Sequence, residues 1–137
     1  MTRRREVGII KSFVLGAALA GGLAMPVHAG DNQIALSGFA TITSDYMFRS
    51  ISNTEGHPAA QAEFDLTYGM FYAGIWGSNT AVGDGIELDY YAGITPTWSW
   101  NSSTVTFNFG GLYYTFPGAE ENDYFEALAG ATWTGGA

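Results

Sequence analysis

Apolar and polar residues alternate with a period of two along most of the chain after residue 35. The clearest window, residues 60–68, reads AQAEFDLTY, with apolar residues at the even positions and polar residues at the odd positions. Similar alternation occupies residues 36–49, 71–78, 86–95, 105–114 and 124–133. Because consecutive side chains of a β-strand point to opposite faces, the pattern predicts an all-β fold with about six strands.

The lengths of the predicted strands and of their connections favour a membrane. The strands span roughly 9–13 residues, where strands of globular proteins average about 5–6 and a tilted transmembrane strand needs about 9–11. Residues 50–59, 79–85 and 117–122 form long polar connections, whereas Gly69 and residues 101–103 mark tight turns. Barrels of the outer membrane have short periplasmic turns and longer external loops. We therefore predict an antiparallel up-and-down transmembrane β-barrel with the three long connections outside.

Aromatic residues gather near the predicted strand ends. They are Tyr46, Phe48, Tyr68, Phe71, Trp98, Trp100, Tyr113, Phe116, Tyr124, Phe125 and Trp133. Outer-membrane barrels carry aromatic girdles at both membrane interfaces, and girdles would account for these positions. The alternative explanation is the general preference of aromatic residues for strands.

The first 29 residues have the three parts of a secretory signal peptide. Residues 3–5 (RRR) and Lys11 form the positive part, and an uncharged apolar stretch covers residues 12–25. Residues 27–29 (VHA) then predict cleavage after Ala29. The apolar stretch is shorter than the ~20 residues of a transmembrane helix, which disfavours a retained anchor. The arginine pair leaves twin-arginine export as an alternative route. We predict a signal peptide at 1–29 and the N-terminal part of an outer-membrane β-barrel at 30–137.

The charge distribution limits the classes of partner that the protein is expected to bind. After residue 29 the chain has one base, Arg49, against twelve of the 13 Asp and Glu residues, which gives this part a formal charge of −11. Nucleic acids are bound through Lys and Arg, so a nucleic acid is not an expected partner. The expected partners are outer-membrane lipid around the barrel and small polar solutes or cations within it.

Candidate catalytic and metal-binding residues are scarce. The sequence has no cysteine and 2 histidines, of which only His57 follows the leader, in a polar loop. A predicted loop is a poor place to orient a catalytic base. The acids between Asp84 and Asp89 do not have the spacing of a calcium-binding loop. We therefore expect no enzyme, no cofactor and no metal site, and we place His57 on the surface.

Acidic residues occupy the polar positions of two predicted strands, one at 60–68 and one at 86–95. If the apolar positions face lipid, these acids line the lumen, and a charged lining selects ions by sign. The predicted pore-lining residues are Asp45, Arg49, Glu63, Asp65, Glu87, Asp89 and Glu126. This set predicts a passage that favours cations. The alternative is that the acids solvate a narrow, plugged barrel and pair with basic residues of missing strands. For Arg49, which follows Asp45 by four positions, we predict an ion pair at the rim or in the lumen, and the alternative is a role at a constriction of the passage.

The number of predicted strands is small for a barrel, because single-chain outer-membrane barrels begin at about eight strands. The chain also stops at residues 134–137 (TGGA), directly after a predicted strand. We therefore expect a truncated chain. The alternative is a homo-oligomer in which the open edges of two copies pair.

Five short motifs stand out after the leader, namely residues 44–52 (SDYMFRSIS), 58–61 (PAAQ), 72–79 (YAGIWGSN), 87–93 (ELDYYAG) and 113–118 (YYTFPG). These motifs resemble those of the TorF family, outer-membrane porins of proteobacteria. Their order and spacing agree across nearly the whole chain after the leader. The family pattern usually has Gly after the Phe-Arg pair, where this sequence has Ser50. The resemblance implies an outer-membrane β-barrel with a porin role and longer relatives that continue with more strands.

The function predicted from these observations is that of an outer-membrane porin for small polar solutes or ions. The rival of a different class is a periplasmic or surface β-sandwich, or a lipocalin-like protein, that binds a small ligand. Its aromatic residues would point into a ligand cavity and its acids into water. An outer-membrane hydrolase would need a Ser-His pair on adjacent strands, and the sequence offers none.

Overall fold

The computed structural model describes residues 33–135, and these residues form an all-β structure. The strands are β1 (Ile34–Thr43), β2 (Met47–Phe48), β3 (Ile51–Ser52), β4 (Ala59–Tyr68), β5 (Phe71–Asn79), β6 (Ile86–Ile94), β7 (Thr97–Trp100), β8 (Ser103–Thr115) and β9 (Tyr124–Gly135). A short 3-10 helix, Glu120–Asn122, lies between β8 and β9. The predicted signal peptide, residues 1–29, lies outside the described residues.

The long strands form one antiparallel sheet. The order across the sheet is β1-β4-β5-β6-β8, and β8 also pairs with β7 and β9. Strands β6 and β7 are two parts of one long strand, because both pair with β8 on the edge that faces away from β9. The interruption lies at Pro96, which has no N–H to donate, but its carbonyl accepts a hydrogen bond from the Phe107 amide (2.9 Å). The predicted antiparallel sheet of about six long strands in chain order is therefore confirmed.

Both predicted tight turns are confirmed by the backbone. Gly69 joins β4 to β5 with a φ of 56°, which glycine adopts without steric cost. Asn101 joins β7 to β8 with a φ of 47°, and asparagine is one of the few other residues that tolerate this conformation. The turns keep consecutive strands adjacent, so the sheet is an up-and-down meander.

The first predicted strand, residues 36–49, is wrong at its C-terminal end, because β1 stops at Thr43. The Thr43 hydroxyl donates a hydrogen bond to the Asp45 carbonyl (2.8 Å), so the chain turns out of the sheet there. Residues 44–58 then form a long loop before β4, which we call the covering loop. Asp45 and Arg49 were predicted to share a strand, and both lie on this loop instead.

A small hairpin within the covering loop explains why the alternation continued past Thr43. Strands β2 and β3 pair Phe48 with Ile51. The two residues between them, Arg49 and Ser50, have φ values of 48° and 70°. Two successive residues with positive φ are the pattern of a type I′ turn, the turn that suits a two-residue hairpin connection. The local period of two is real, but it belongs to a separate hairpin.

The two faces of the large sheet differ sharply. On one face, which we call the apolar face, one row of paired positions holds Gly38, Phe64, Ile75, Tyr90, Tyr113 and Phe125. No position of this face in the six long strands carries a charged residue. Many of its large side chains are exposed, among them Phe64 at 51% and Phe125 at 65%. The other face, the polar face, carries the acids of the strands.

The most buried side chains lie on the polar face and in the loops that cover it. One cluster contains Tyr46, Ala59 and Trp76. A second contains Leu112, Tyr114, Phe116 and Ala119. Both are at the end of the sheet where the long connections gather, so this end has a packed interior.

Candidate functional site

The acids of the strands come together on the polar face. One row of paired positions across the sheet reads Glu63, Trp76, Asp89, Tyr114 and Tyr124. The next row, toward the tight turns, reads Asp65, Gly74, Tyr91, Leu112 and Glu126. Neighbouring strands are about 5 Å apart, so the two rows form a continuous band of carboxylates and aromatic rings across five strands.

The Tyr91 ring lies over the sheet in the second row. Its hydroxyl donates a hydrogen bond to Asp65 Oδ1 at 2.5 Å, from β6 across β5 to β4. The ring can take this course because Gly74 lies between the two residues, and a Cβ at Gly74 would collide with the Tyr91 ring. The missing side chain on β5 thus links two strands that are not adjacent.

The covering loop lies across the first row. Its Tyr46 is 3% exposed, and the centroid of the Tyr46 ring lies 5.3 Å from that of Trp76 on β5. The Phe48 ring centroid lies 5.9 Å from that of Tyr114 on β8. A loop that leaves the sheet at β1 therefore crosses the polar face as far as β8.

The Tyr46 hydroxyl reaches the acids beneath the loop. It donates a hydrogen bond to Glu87 Oε1 at 3.2 Å. Burial, followed by the negative charge of Glu87, raises the pKa of Tyr46 above its ordinary value. The hydroxyl therefore keeps its proton and acts as a donor, which is what a buried carboxylate requires.

Arg49 makes the ion pair predicted for it. Its Nη2 lies 2.5 Å from Glu126 Oε1 on β9, and its guanidinium carbon lies 4.7 Å from the centroid of the Phe48 ring. The hydrogen bond to Glu126, together with the charge of Glu126, raises the pKa of Arg49. The Arg49 side chain is 62% exposed, so the pair closes the far end of the covering loop at the surface of the polar face.

The Asp45 carboxylate organises the covering loop itself. Its Oδ1 accepts hydrogen bonds from the hydroxyls of Ser52 (2.6 Å) and Thr54 (2.9 Å). These two bonds, that of Ser52 first, hold the pKa of Asp45 below its usual value of 3.8. The Thr54 hydroxyl in turn accepts from the Tyr46 amide (3.0 Å). Asp45 was predicted to line a lumen, and the structure places its carboxylate within this loop network.

Glu87 and Asp89 are the most deeply buried charged residues that the structure describes. Glu87 is 1% exposed and accepts hydrogen bonds from the Tyr46 hydroxyl and from Nδ2 of the Asn53 side chain (3.5 Å). Asp89 is 0% exposed, and neither of its carboxylate oxygens has a hydrogen-bond partner among residues 33–135. Because most buried polar atoms are paired, Asp89 is the least satisfied group of the site.

Comparison with protein families gives one match. Residues 28–134 match a family described as "Bacterial protein of unknown function (Gcw_chp)". The chain belongs to this family. The Gcw_chp match covers β1 to β8 and all but the last residue of β9, so the sheet and the covering loop both lie within it. No curated protein and no solved structure matches the chain.

The described part of the Gcw_chp chain has neither a metal-binding cluster nor a membrane-spanning helix. Within residues 33–135, no three or more acidic, histidine or cysteine residues are grouped so that they could hold a metal ion. None of the helices in this part is long and apolar enough to cross a membrane. His57 is exposed on the covering loop, where its Nδ1 lies 3.1 Å from the Thr54 carbonyl oxygen.

The aromatic lining of the polar face was not predicted from the sequence. The aromatic residues of this Gcw_chp chain fall into two sets. The side chains that pack on the polar face include Phe39, Tyr46, Phe48, Trp76, Tyr91, Tyr114, Phe116 and Tyr124. For Tyr46, Phe48, Phe116 and Tyr124, placement in an outer girdle was therefore wrong. A usable signal existed for Trp76, Tyr91 and Tyr114, which fall at the polar positions of the alternation.

Proposed function

We propose that this chain forms part of the wall of an outer-membrane β-barrel that acts as a porin for small polar solutes or ions and favours cations. The single observation that carries the proposal is the reversal of the two faces of the sheet. The apolar face is exposed and uncharged, and the polar face holds the buried side chains. A protein that folds in water has the opposite arrangement, because burial of apolar surface drives its folding.

The extent of the apolar face supports lipid as its surroundings. Exposed large apolar side chains occur on all six long strands, for example Leu36, Phe64, Phe71, Tyr90, Phe109 and Phe125. Water-soluble monomers rarely expose a continuous apolar patch of more than a few hundred Å². The strands on which these residues lie have 9 to 13 residues, apart from the β6–β7 strand, which is longer. A tilted strand of about 9–11 residues crosses the hydrocarbon core.

The exposed aromatic residues support two membrane interfaces. The tight-turn end of the sheet has Tyr68, Phe71, Trp98, Trp100 and Trp133, the long-connection end has Tyr113 and Phe125, and four phenylalanine or tyrosine residues (Phe64, Tyr90, Phe107 and Phe109) lie between the two ends. Tyr and Trp prefer the interfacial zone because one part of the ring system is apolar and another forms hydrogen bonds. This distribution also agrees with the resemblance to the TorF porins, membership of which we include in the proposal.

The polar face supports a preference for cations. Five carboxylates lie on the strands of this face. Glu63, Asp65 and Glu126 are half-buried and can line a passage, whereas Glu87 and Asp89 are buried beneath the covering loop and act on it only through their charge. Arg49 is the only Lys or Arg among residues 33–135. A lining with an excess of one charge attracts ions of the opposite charge and repels ions of its own. The covering loop lies on this same face and narrows the passage, which favours small solutes.

The rival proposal of a soluble ligand-binding module receives less support. Aromatic rings do face the interior, as such a module requires. Its outer surface, however, would have to place acids in water, and here the acids lie on the inner face while Phe, Leu and Ile side chains lie outside. The reversal that supports a membrane protein therefore counts against a lipocalin-like one.

The proposal is tested with the full-length protein in two stages. Gel mobility of the outer-membrane fraction is compared with and without boiling, and a heat-dependent shift is expected for a barrel that resists detergent. The purified protein is then placed in a planar bilayer under a potassium chloride gradient, and the reversal potential is expected to show cation preference. Glu126→Gln should weaken that preference, whereas Glu121→Gln, on the exposed connection before β9, should leave it unchanged. A soluble protein, or a pore that prefers anions, would contradict the proposal.

A further inference from the structure

Asp89 stands apart from the other acids of the polar face. Its side chain is 0% exposed, and no group within residues 33–135 donates a hydrogen bond to either carboxylate oxygen. An ionised carboxylate that gives up its water without a replacement is strongly disfavoured. Asp89 therefore requires a partner that the described residues do not supply.

Glu87 is a second buried carboxylate beside Asp89, but it has hydrogen-bond donors. Glu87 and Asp89 are two positions apart on β6, so their side chains point to the same face. The Tyr46 hydroxyl (3.2 Å) and Nδ2 of the Asn53 side chain (3.5 Å) both donate hydrogen bonds to Glu87 from the covering loop. The loop thus supplies two hydrogen-bond donors to Glu87 and leaves Asp89 beside it without a donor.

Positive side chains do not neutralise this pair. Arg49, the only Lys or Arg among residues 33–135, is bound to Glu126 at 2.5 Å. His57 is exposed, and its ring contacts the Thr54 carbonyl. The charge of Asp89 must therefore be balanced by an ion or a proton that comes from solution.

We propose that Asp89, with Glu87, binds one dehydrated monovalent cation, sodium or potassium, beneath the covering loop. Carboxylate oxygens are the ligands that hard cations prefer. Within residues 33–135 no third acidic, histidine or cysteine residue joins the pair as a possible ligand, and one ion of single charge balances the single carboxylate that has no donor. The proposal goes beyond the porin function, because a fixed cation site does not require an open passage.

The walls of the site limit the size of the cation. Trp76 on β5 and Tyr114 on β8 are the direct pairing partners of Asp89, and from the covering loop Tyr46 packs against the Trp76 ring. All three side chains are 3% exposed. Such close packing favours a bare ion over an organic ammonium group. Aromatic faces also attract cations, so the walls add to the attraction of the carboxylates.

The test uses the full-length protein refolded in a neutral detergent, with thermal unfolding followed by circular dichroism. Choline chloride is exchanged for sodium or potassium chloride at constant ionic strength. A ligand that binds only the folded state stabilises it, and we expect the midpoint to rise by about 4 °C or more. Asp89→Asn should abolish this rise. Glu121→Gln, which removes an exposed acid, should retain it.

A second measurement covers the case in which Asp89→Asn does not refold. The ²³Na resonance of sodium in a solution of the wild-type protein should show excess broadening that potassium chloride removes and choline chloride does not. Equal midpoints in sodium, potassium and choline salts would overturn the proposal. So would stabilisation by acid alone, equal in all three salts, because a proton would then neutralise Asp89. A protein that shows the cation-dependent midpoint but carries no current would refute the porin proposal and leave this site standing.

Discussion

The apolar face and the polar face are built from the same six strands, yet they have opposite relations to solvent. On the apolar face, large side chains such as Phe64 and Tyr90 are about half exposed and make no hydrogen bonds with other strands. On the polar face, Glu87 and Asp89 are fully buried, and aromatic rings pack around them. Strand alternation thus identifies the two faces of a sheet, but it does not determine which of them is buried. That depends on whether the surroundings are water or lipid.

The largest effect is expected from a charge in the middle of the apolar face. Phe64→Arg should destabilise the protein by about 2–4 kcal/mol if this face meets lipid, because arginine is costly near the middle of the bilayer. In water, a substitution at such an exposed position would change stability by only about 0.5 kcal/mol. Unfolding by urea in lipid vesicles measures the difference.

The matched control for Phe64→Arg is Thr67→Arg, on the polar face of the same strand. An arginine there meets the acids of that face, so stability should be nearly unchanged. If the two arginine variants are equally stable, the two faces do not differ in their surroundings, and the membrane assignment fails.

A smaller effect is expected where the polar face behaves as a core. Tyr46→Phe removes the hydroxyl that donates to Glu87 and leaves a buried carboxylate with the longer contact to Asn53. Loss of a partner from a buried polar group costs about 1–3 kcal/mol, and the thermal midpoint should fall accordingly. Tyr90→Phe makes the same chemical change on the apolar face, at a residue that is 47% exposed. An equal loss in both variants would show that the covering loop does not seal Glu87.

The hairpin turn of the covering loop offers a stabilising change. Ser50 has a φ of 70°, and a residue with a side chain loses about 1 kcal/mol or more in the left-handed region, which glycine adopts freely. Ser50→Gly should therefore raise stability by about 1 kcal/mol in denaturant unfolding. Ser102→Gly, in the turn between β7 and β8, is the control, because Ser102 has no positive φ and glycine should give no gain there.

The smallest effect is a pH dependence confined to the covering loop. The folded-state pKa of Asp45 is lowered by the hydroxyls of Ser52 and Thr54. Its contribution to stability is therefore present above the unfolded pKa of 3.8 and is lost as the pH falls through the lower folded value. The rate at which an acid-active protease cleaves the covering loop of the wild type should rise as the pH of the assay is lowered below 3.8. Asp45→Asn should be cleaved at a rate that does not change across this range.

Much of the sheet could be predicted from the sequence because its determinants are local. Alternation marks the strands, and Gly69 and Asn101 mark the turns by the backbone conformation that they tolerate. The same alternation placed Glu63, Asp65, Glu87, Asp89 and Glu126 on one face. The end of β1 could not be predicted, because it depends on one hydrogen bond from Thr43 and on a hairpin with the same period.

A long connection at residues 50–59 was predicted, but the path of the covering loop across the polar face could not be predicted, because its contacts are tertiary. Tyr46 meets Trp76 and Glu87 only after β4, β5 and β6 have brought those residues to one place. For the same reason the sequence suggested that Tyr46 lies in a girdle and that Asp45 lines a lumen. Nothing in the residues near Asp45 indicates that Ser52 and Thr54 will satisfy its carboxylate within the loop.

The ion pair between Arg49 and Glu126 has a consequence for the order of folding. The two residues are 77 positions apart in the chain, whereas the contact of Tyr46 with Glu87 spans 41 positions. Contacts between distant parts of a chain carry the largest loop-closure entropy and form slowly. Arg49 can reach Glu126 only when β9 has been added to the sheet. The hairpin end of the covering loop, which carries Arg49, is therefore fixed only after β9 has joined the sheet, whereas the contact of Tyr46 with Glu87 can form once β6 is in place.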